Sequence, residues 1–353
     1  MHVISLNQVA GVLEHIMFGL NEVPIFVGQF GGGKTAGVDQ FVKSKNAYMC
    51  KVLLGQYDTV DLRGTPWTQA FTSHEDDADP VRLTVWHPAS TLPFKGNPKF
   101  PTDRPIVLFL DELTSATVPV MGICYQLINE RRIGEHELMD NVYICCAGNR
   151  EIDKGIVTRM PMPLCNRMIW FEVGVDVESL CDHAQAQGWA PEFIAFMHFR
   201  KPLICTYDPG KADKVVATPR TWEKAMKVYA LEMPHDIKLA AMAGAVGEGP
   251  SAEFWGFVKS WHKIAAMMPS IMKDPVKAEV PTEPGMCYAL SVALSGALTE
   301  KTARTILTYM TKPGGMEPEF NVLSWQLALK RDNKLFGIPE FVEFGKKYRA
   351  VFQ

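Results

Sequence analysis

Three groups of residues in this sequence have the types and spacing to do phosphate chemistry. Gly28-Gln29-Phe30-Gly31-Gly32-Gly33-Lys34-Thr35 fits G-x-x-x-x-G-K-[ST]. In such a loop, backbone N–H groups unobstructed by side chains and the positive end of a following helix cradle phosphates. Lys34 reaches the β- and γ-phosphates and the Thr35 hydroxyl serves Mg²⁺. The second group closes the run Pro105-Ile106-Val107-Leu108-Phe109-Leu110-Asp111-Glu112. One of its adjacent carboxylates can sit near Mg²⁺ and its waters, and the other can orient or deprotonate an attacking water. An apolar run ending in Asp-Glu is common by itself; downstream of a phosphate loop it becomes specific. The third group is Asn149, at the end of Asn141-Val142-Tyr143-Ile144-Cys145-Cys146-Ala147-Gly148. From a strand beside the Asp-Glu strand it could reach a γ-phosphate or its water, although Asn is also a common turn former.

These groups need elements that bring them to one edge. Val23-Pro24-Ile25-Phe26-Val27 reads as a buried strand feeding the loop, and Ala36 to Lys45 as the helix behind it. Leu6, Val9, Leu13, Ile16 and Met17 recur at helical spacing between Ser5, a plausible N-cap, and Leu20. Ala47 to Leu54, Ile106 to Leu110, Val142 to Ala147 and Met168 to Val173 read as further strands. Continuous apolar runs of this kind belong to parallel sheets covered on both faces, which carry their sites at the C-terminal strand ends.

Between 65 and 104 the pattern breaks. An acidic stretch from Ser73 to Asp79 reads as a solvated loop, Arg82 to Trp86 as a short strand, and the whole as an insertion or hairpin. Its aromatics Trp67, Phe71, Trp86 and Phe94 are expected to pack locally. Val118 to Arg131 reads as a helix and Glu151 to Asn166 as irregular. From Asp176 on the chain reads as helix, in segments 176–187, 191–197, 220–232, 236–246, 250–265, 284–296, 299–310 and 318–331, with a Pro-rich linker from Met268 to Pro284.

With 353 residues the chain can hold two or three domains. A hydrophobic share of 47% and a charged share of 21% are those of an ordinary globular protein. The net charge of −3 gives no global basic footprint for nucleic acid or an acidic membrane. The eight cysteines show no C-x-x-C spacing and several lie in apolar runs, so they read as buried, reduced thiols rather than disulfides or zinc ligands. No signal peptide opens the chain and no apolar run is long enough to span a bilayer, so a cytoplasmic protein is expected.

The order of these motifs resembles the AAA+ ATPases, and within them the MoxR-like branch. Gly28 to Thr35 is similar to Walker A and Leu108 to Glu112 to Walker B. Ala147-Gly148-Asn149-Arg150 resembles the first sensor, Pro163-Leu164-Cys165-Asn166-Arg167 the segment carrying the arginine finger, and Ala217-Thr218-Pro219-Arg220-Thr221-Trp222-Glu223 the second sensor. Asp61-Leu62-Arg63-Gly64 and Thr84-Val85-Trp86 resemble the region of the second-helix insertion that marks the branch. The finger segment departs in one respect: Met168 follows Arg167, where an aromatic often stands.

The resemblance implies an α/β P-loop AAA+ core with a parallel sheet sandwiched by helices, followed by an all-helical lid and a C-terminal helical region. The expected boundaries are 1–174 for the nucleotide-binding domain (insertion about 65–104), 175–267 for the lid and 268–353 for the C-terminal extension. It implies ATP and Mg²⁺, with Gly28 through Ala36 on the nucleotide and Thr35 and Asp111 on the metal. Lys34, Glu112, Asn149, Arg167 and Arg220 are the catalytic set. Arg167 would enter a neighbour's site, with Arg159 as the second candidate for that role; whether Arg220 acts within its own subunit or on the next is left open. The implied assembly is a homo-oligomeric ring, a hexamer, that couples ATP turnover to chaperone-like remodelling of a protein partner, with a separate von Willebrand factor A-domain protein as a possible companion. The alternative is a nucleic-acid motor, for which Lys95, Lys99 and Arg104 could face a ring pore or simply form a solvated loop. A non-hydrolysing switch is a third class, against which the intact Asp111, Glu112 and Arg167 stand.

Overall fold

The computed structural model describes residues 3–71, 80–153, 158–211 and 213–348. The acidic stretch Ser73 to Asp79 and residues 154–157 of the irregular stretch lie outside them. The chain divides into two compact units, Met1–Asp176 and Val177–Gln353.

The first unit is built on a six-stranded sheet. In chain order the strands are β1 (Val3–Ile4), β2 (Pro24–Val27), β3 (Tyr48–Leu53), β4 (Thr65–Phe71), β5 (Val81–His87), β6 (Ile106–Asp111), β7 (Arg132–Ile133), β8 (His136–Glu137), β9 (Val142–Gly148) and β10 (Ile169–Val173). The sheet runs β1-β10-β2-β9-β6-β3, with every neighbouring pair parallel. β4 with β5, and β7 with β8, form separate antiparallel ribbons.

The continuous apolar runs arise because both faces are covered. Alternate residues of one strand serve opposite cores. Ile106, Leu108 and Leu110 pack with Val120, Cys124 and Leu127 of the helix Val118–Glu130. Val107 and Phe109 face the other way, toward Val9, Leu13 and Met17 and toward Val38, Phe41 and Val42 of the helix Lys34–Ser44. The N-terminal helix is α-helical over Leu6–Val12 and continues as a π-helix over Leu13–Gly19, a change of winding that residue spacing does not announce.

The second unit is helical. Its aromatic centre is Trp222, fully buried, with Phe193, Phe196 and Phe254 around it and its Nε1–H donating to the Leu203 carbonyl at 2.8 Å. The Pro-rich linker expected from Met268 begins later than its composition suggests. The helix Glu248–Lys273 runs through Pro269. A proline inside a helix costs roughly 3 kcal/mol, but the turn that follows it buries Ile271 completely. A helix over Pro339–Lys347, beyond the last segment whose spacing predicts one, sets Phe344 against Trp325. The architecture is the parallel sheet sandwiched by helices, followed by an all-helical region, that the AAA+ resemblance implies.

Candidate functional site

The parallel sheet brings the three chemical groups to one edge. Val27 at the end of β2 pairs with Gly148 at the end of β9, and Asp111 ends β6 opposite Leu53 of β3. The loop after β2, the carboxylates after β6 and Asn149 after β9 therefore all leave the sheet at its C-terminal side.

The loop's backbone requires its glycines at two points. A β-carbon on Gly28 would lie 2.5 Å from the Val173 carbonyl oxygen of β10, closer than real β-carbons come. Gly33 has φ +91° and caps the helix Lys34–Ser44, where a β-carbon would lie 2.9 Å from Leu6 Cδ2. Lys34, the residue after Gly33, curls back over the loop. Its Nζ donates to the Gly28 carbonyl at 2.7 Å and to the Gln29 carbonyl at 3.0 Å, and lies 3.4 Å from Asn149 Oδ1. An ammonium held over a glycine loop at a helix N-terminus is the donor set an anionic polyphosphate needs. Thr35, one residue on, donates from Oγ1 to Asp111 Oδ2 at 3.1 Å. A hydroxyl and a carboxylate so paired are oxygen donors of the kind Mg²⁺ takes.

Glu112 has φ +58° and ψ +32°, the left-handed region. For a residue other than glycine this strain is on the order of 1–3 kcal/mol, and such outliers cluster at functional sites. The Glu112 N–H donates to Asp111 Oδ1 at 3.0 Å. Its carboxylate Oε2 lies over Gly55, 2.9 Å from where a β-carbon there would be. Asn149 is positioned through its backbone, its N–H donating to Thr114 Oγ1 at 2.9 Å. The nearly buried Thr114 also accepts, at its carbonyl, the Thr158 N–H at 2.7 Å.

Other residues singled out by the sequence lie away from this cluster. Arg167 precedes β10, whose Ile169 pairs with Pro24 at the start of β2. It therefore stands at the N-terminal side of the sheet, the five residues of β10, roughly 16 Å of strand, from the phosphate-loop edge. Its guanidinium is aimed: Nε donates to Asn129 Oδ1 at 2.9 Å, Nη1 to the Pro163 carbonyl at 2.7 Å, and the plane lies 4.0 Å from the Tyr125 ring centre. Arg159 is exposed and follows Thr158, so it is on the Thr114 side. Arg150 is held by Asp153 at 2.8 and 3.1 Å and by Glu172 at 3.3 Å, which pins the loop after β9. The Asp153 hydrogen bond holds its guanidinium above its ordinary pKa. In the helical unit, Arg220 is exposed in the first turn of the helix Pro219–Ala230. Thr218 and Thr221 cap that helix reciprocally, at 2.8 and 3.2 Å.

Lys51 and Thr114 join the site without any motif to mark them. Lys51 Nζ lies 2.9 Å from Asp111 Oδ2, the oxygen that also accepts from Thr35. The available signal was a lone lysine inside the apolar run Met49-Cys50-Lys51-Val52-Leu53. Burial pushes the Cys50 and Cys124 thiols up to about 12, so neither is an activated nucleophile.

Within the insertion, β4 and β5 form a ribbon with most of both faces exposed. Pairing of Trp67 with Val85, Gln69 with Leu83 and Phe71 with Val81 puts five apolar side chains on one face. The expectation of local packing is met by Phe94, which is buried, and by Trp86, whose ring lies 4.6 Å from the Arg63 guanidinium. Trp67 meets the His87 ring edge-on, centroids 6.3 Å apart, but is 63% exposed, and Phe71 is 40% exposed. The basic residues beside it are engaged locally: Lys95 with Glu137 and Asp140, Lys99 with Ser90, and Arg104 over Tyr48. Among the described residues, no helix is long and apolar enough to cross a membrane.

No family model matches the chain, and no curated protein does. Among solved structures it is similar to NtrX from Brucella abortus in complex with ADP, at 13% identity and a TM-score of 0.39, over 98% of this chain and 68% of that one. The NtrX complex with ATP gives 13% identity and 0.39 over 99% and 67%. A further NtrX structure gives 13% identity and 0.34 over 98% and 68%. The likeness is loose, and the nucleotides are those of NtrX.

Proposed function

We propose that the chain is a Mg²⁺-dependent ATPase of the AAA+ type, in its MoxR-like branch, working as a homo-oligomeric ring that remodels a protein partner. The observation that carries the reading is the convergence of Lys34, Thr35, Asp111, Glu112 and Asn149 on one edge of the parallel sheet, over a loop whose backbone requires glycine at positions 28 and 33.

In this reading Lys34 and the loop amides, Gly28 through Ala36, bind the triphosphate, Lys34 exchanging its carbonyl partners for phosphate oxygens. Thr35 and Asp111 would hold Mg²⁺, which when bound neutralises charge on the β- and γ-phosphates. Glu112 accepts the proton of the attacking water, and Asn149, fixed by Thr114, orients that water or the γ-phosphate. Arg167 stabilises the charge that develops in a neighbour's site. Its place at the far side of its own sheet, pre-aimed by Asn129 and Tyr125, favours action on another copy. Arg220 would report the γ-phosphate to the lid, proposed over 175–267. A hexamer, and a von Willebrand factor A-domain companion, belong to the same proposal through the resemblance.

A site completed by a neighbour makes turnover depend on assembly. Phosphate release per chain should therefore rise with protein concentration and vanish in chelator. Turnover per chain that is constant over a hundredfold dilution, or indifferent to chelator, would contradict the reading.

The ribbon supports a protein partner over a nucleic acid. An exposed apolar face is a protein-contact feature, and Lys95, Lys99 and Arg104 are already engaged. Trp67→Ser with Leu83→Ser should leave basal ATP turnover within about twofold, since surface changes cost little stability. The same pair should abolish stimulation of turnover by an unfolded test protein. Stimulation by single-stranded DNA with a steep salt dependence would instead point to the nucleic-acid motor.

A further inference from the structure

Asp111 carries more partners than a metal ligand needs. Its side chain is only 11% exposed, and Oδ2 is shared by the Thr35 hydroxyl and the Lys51 ammonium while Oδ1 accepts the Glu112 N–H. The sheet register explains how Lys51 arrives there. Lys51 pairs with Phe109 and Leu53 with Asp111, so by the two-residue period Lys51, Phe109 and Asp111 share one face of the sheet. That is the face on which the helix Lys34–Ser44 packs. The Lys51 Nζ lies 5.9 Å from the centre of the Phe109 ring. A carboxylate this buried needs a counter-charge, and in this chain a side chain supplies it. A divalent ion bound between Thr35 and Asp111, directly or through water, would put two cations on one carboxylate.

We propose that Lys51 is a tethered counter-cation for the metal carboxylate: it holds Asp111 toward Thr35 when no metal is present and competes with the divalent ion for the same oxygen. Metal then enters efficiently only together with the phosphates, whose charge pays for displacing the ammonium. The inference rests on the reading of Thr35 and Asp111 as the metal pair. Lys51 is a positioning residue in it and touches no reacting atom.

The test is Mn²⁺ binding to the full chain without nucleotide, followed by electron paramagnetic resonance, with thermal unfolding of each variant as the control for folding. Lys51→Met should bind Mn²⁺ about tenfold tighter than the unaltered chain, by removal of a like charge beside the ion. Lys51→Arg, which keeps the charge, should stay within about threefold of the unaltered chain on the same principle. Lys51→Gln keeps a hydrogen-bond donor to Asp111 without the charge and should also bind tighter, which preserves the test if the Met variant does not fold. Equal or weaker Mn²⁺ binding by the folded neutral variants overturns the competition. Loss of tighter binding in Lys51→Met with Asp111→Asn confirms the site. Nucleotide binding, measured separately with a fluorescent ATP analogue, reports on the underlying reading: its absence from the unaltered chain would sink the ATPase proposal, whereas its presence with no Mn²⁺ effect would sink only the role of Lys51.

Discussion

Glu112→Gln should abolish turnover while ATP binding and assembly persist. The substitution keeps the size of the side chain and leaves the backbone N–H on Asp111 Oδ1, so the metal pair is not disturbed. It removes the negative charge, and with it the capacity to accept the water's proton. A general base contributes typically 10²–10⁴-fold, about 3–5 kcal/mol of barrier at 1.36 kcal/mol per decade. The position is specific in a second way. Residue 112 holds a left-handed conformation that side chains tolerate poorly, so the chain bears local strain to aim this carboxylate over Gly55. Phosphate release measured in single turnover, beside nucleotide titration, separates the two effects. Turnover surviving within tenfold would mean that another group activates the water.

Arg167→Ala should be as severe for turnover and silent for binding. A well-placed arginine finger is worth about 10³–10⁵ in rate. Arg167 stands at the N-terminal side of the sheet, where Ile169 pairs with Pro24, so its removal leaves its own chain's phosphate loop intact. The variant should be rescued in part by mixing with Glu112→Gln. In a mixed ring one chain offers an intact Glu112 and the other an intact Arg167, and at equal amounts about a quarter of the interfaces combine both, as head-to-tail contacts allow. No rescue, with Arg159→Ala showing the loss instead, would move the finger to Arg159, which sits beside Thr158 on the Thr114 side.

Much of the fold was legible because a parallel sheet buried on both faces writes itself as uninterrupted apolar runs. Ile106 to Leu110 and Val142 to Ala147 could hardly be anything else, and the carboxylates and Asn149 at their ends follow. What stayed illegible was non-local. Lys51 acquires a meaning only through the pairing of β3 with β6, which no neighbouring residue encodes. Arg150 read as part of a sensor stretch, yet its guanidinium is held by Asp153 and Glu172, the latter more than twenty residues away in sequence. Trp67 and Phe71 carry the composition of a packed strand, and only the fold reveals that most of both ribbon faces are exposed. Pro269 looked like a boundary because local propensity favours one, and the burial of Ile271 overrides it.

Whether Gly28 to Thr35 holds a nucleoside triphosphate is decided by a binding titration with a fluorescent ATP analogue, on the unaltered chain and on Lys34→Ala. The unaltered chain should bind saturably and with Mg²⁺ dependence. Lys34→Ala should weaken that binding roughly 10–100-fold, the value of a charged donor lost from an anion. Equal affinity in the two proteins would mean that the nucleotide, if it binds at all, lies elsewhere.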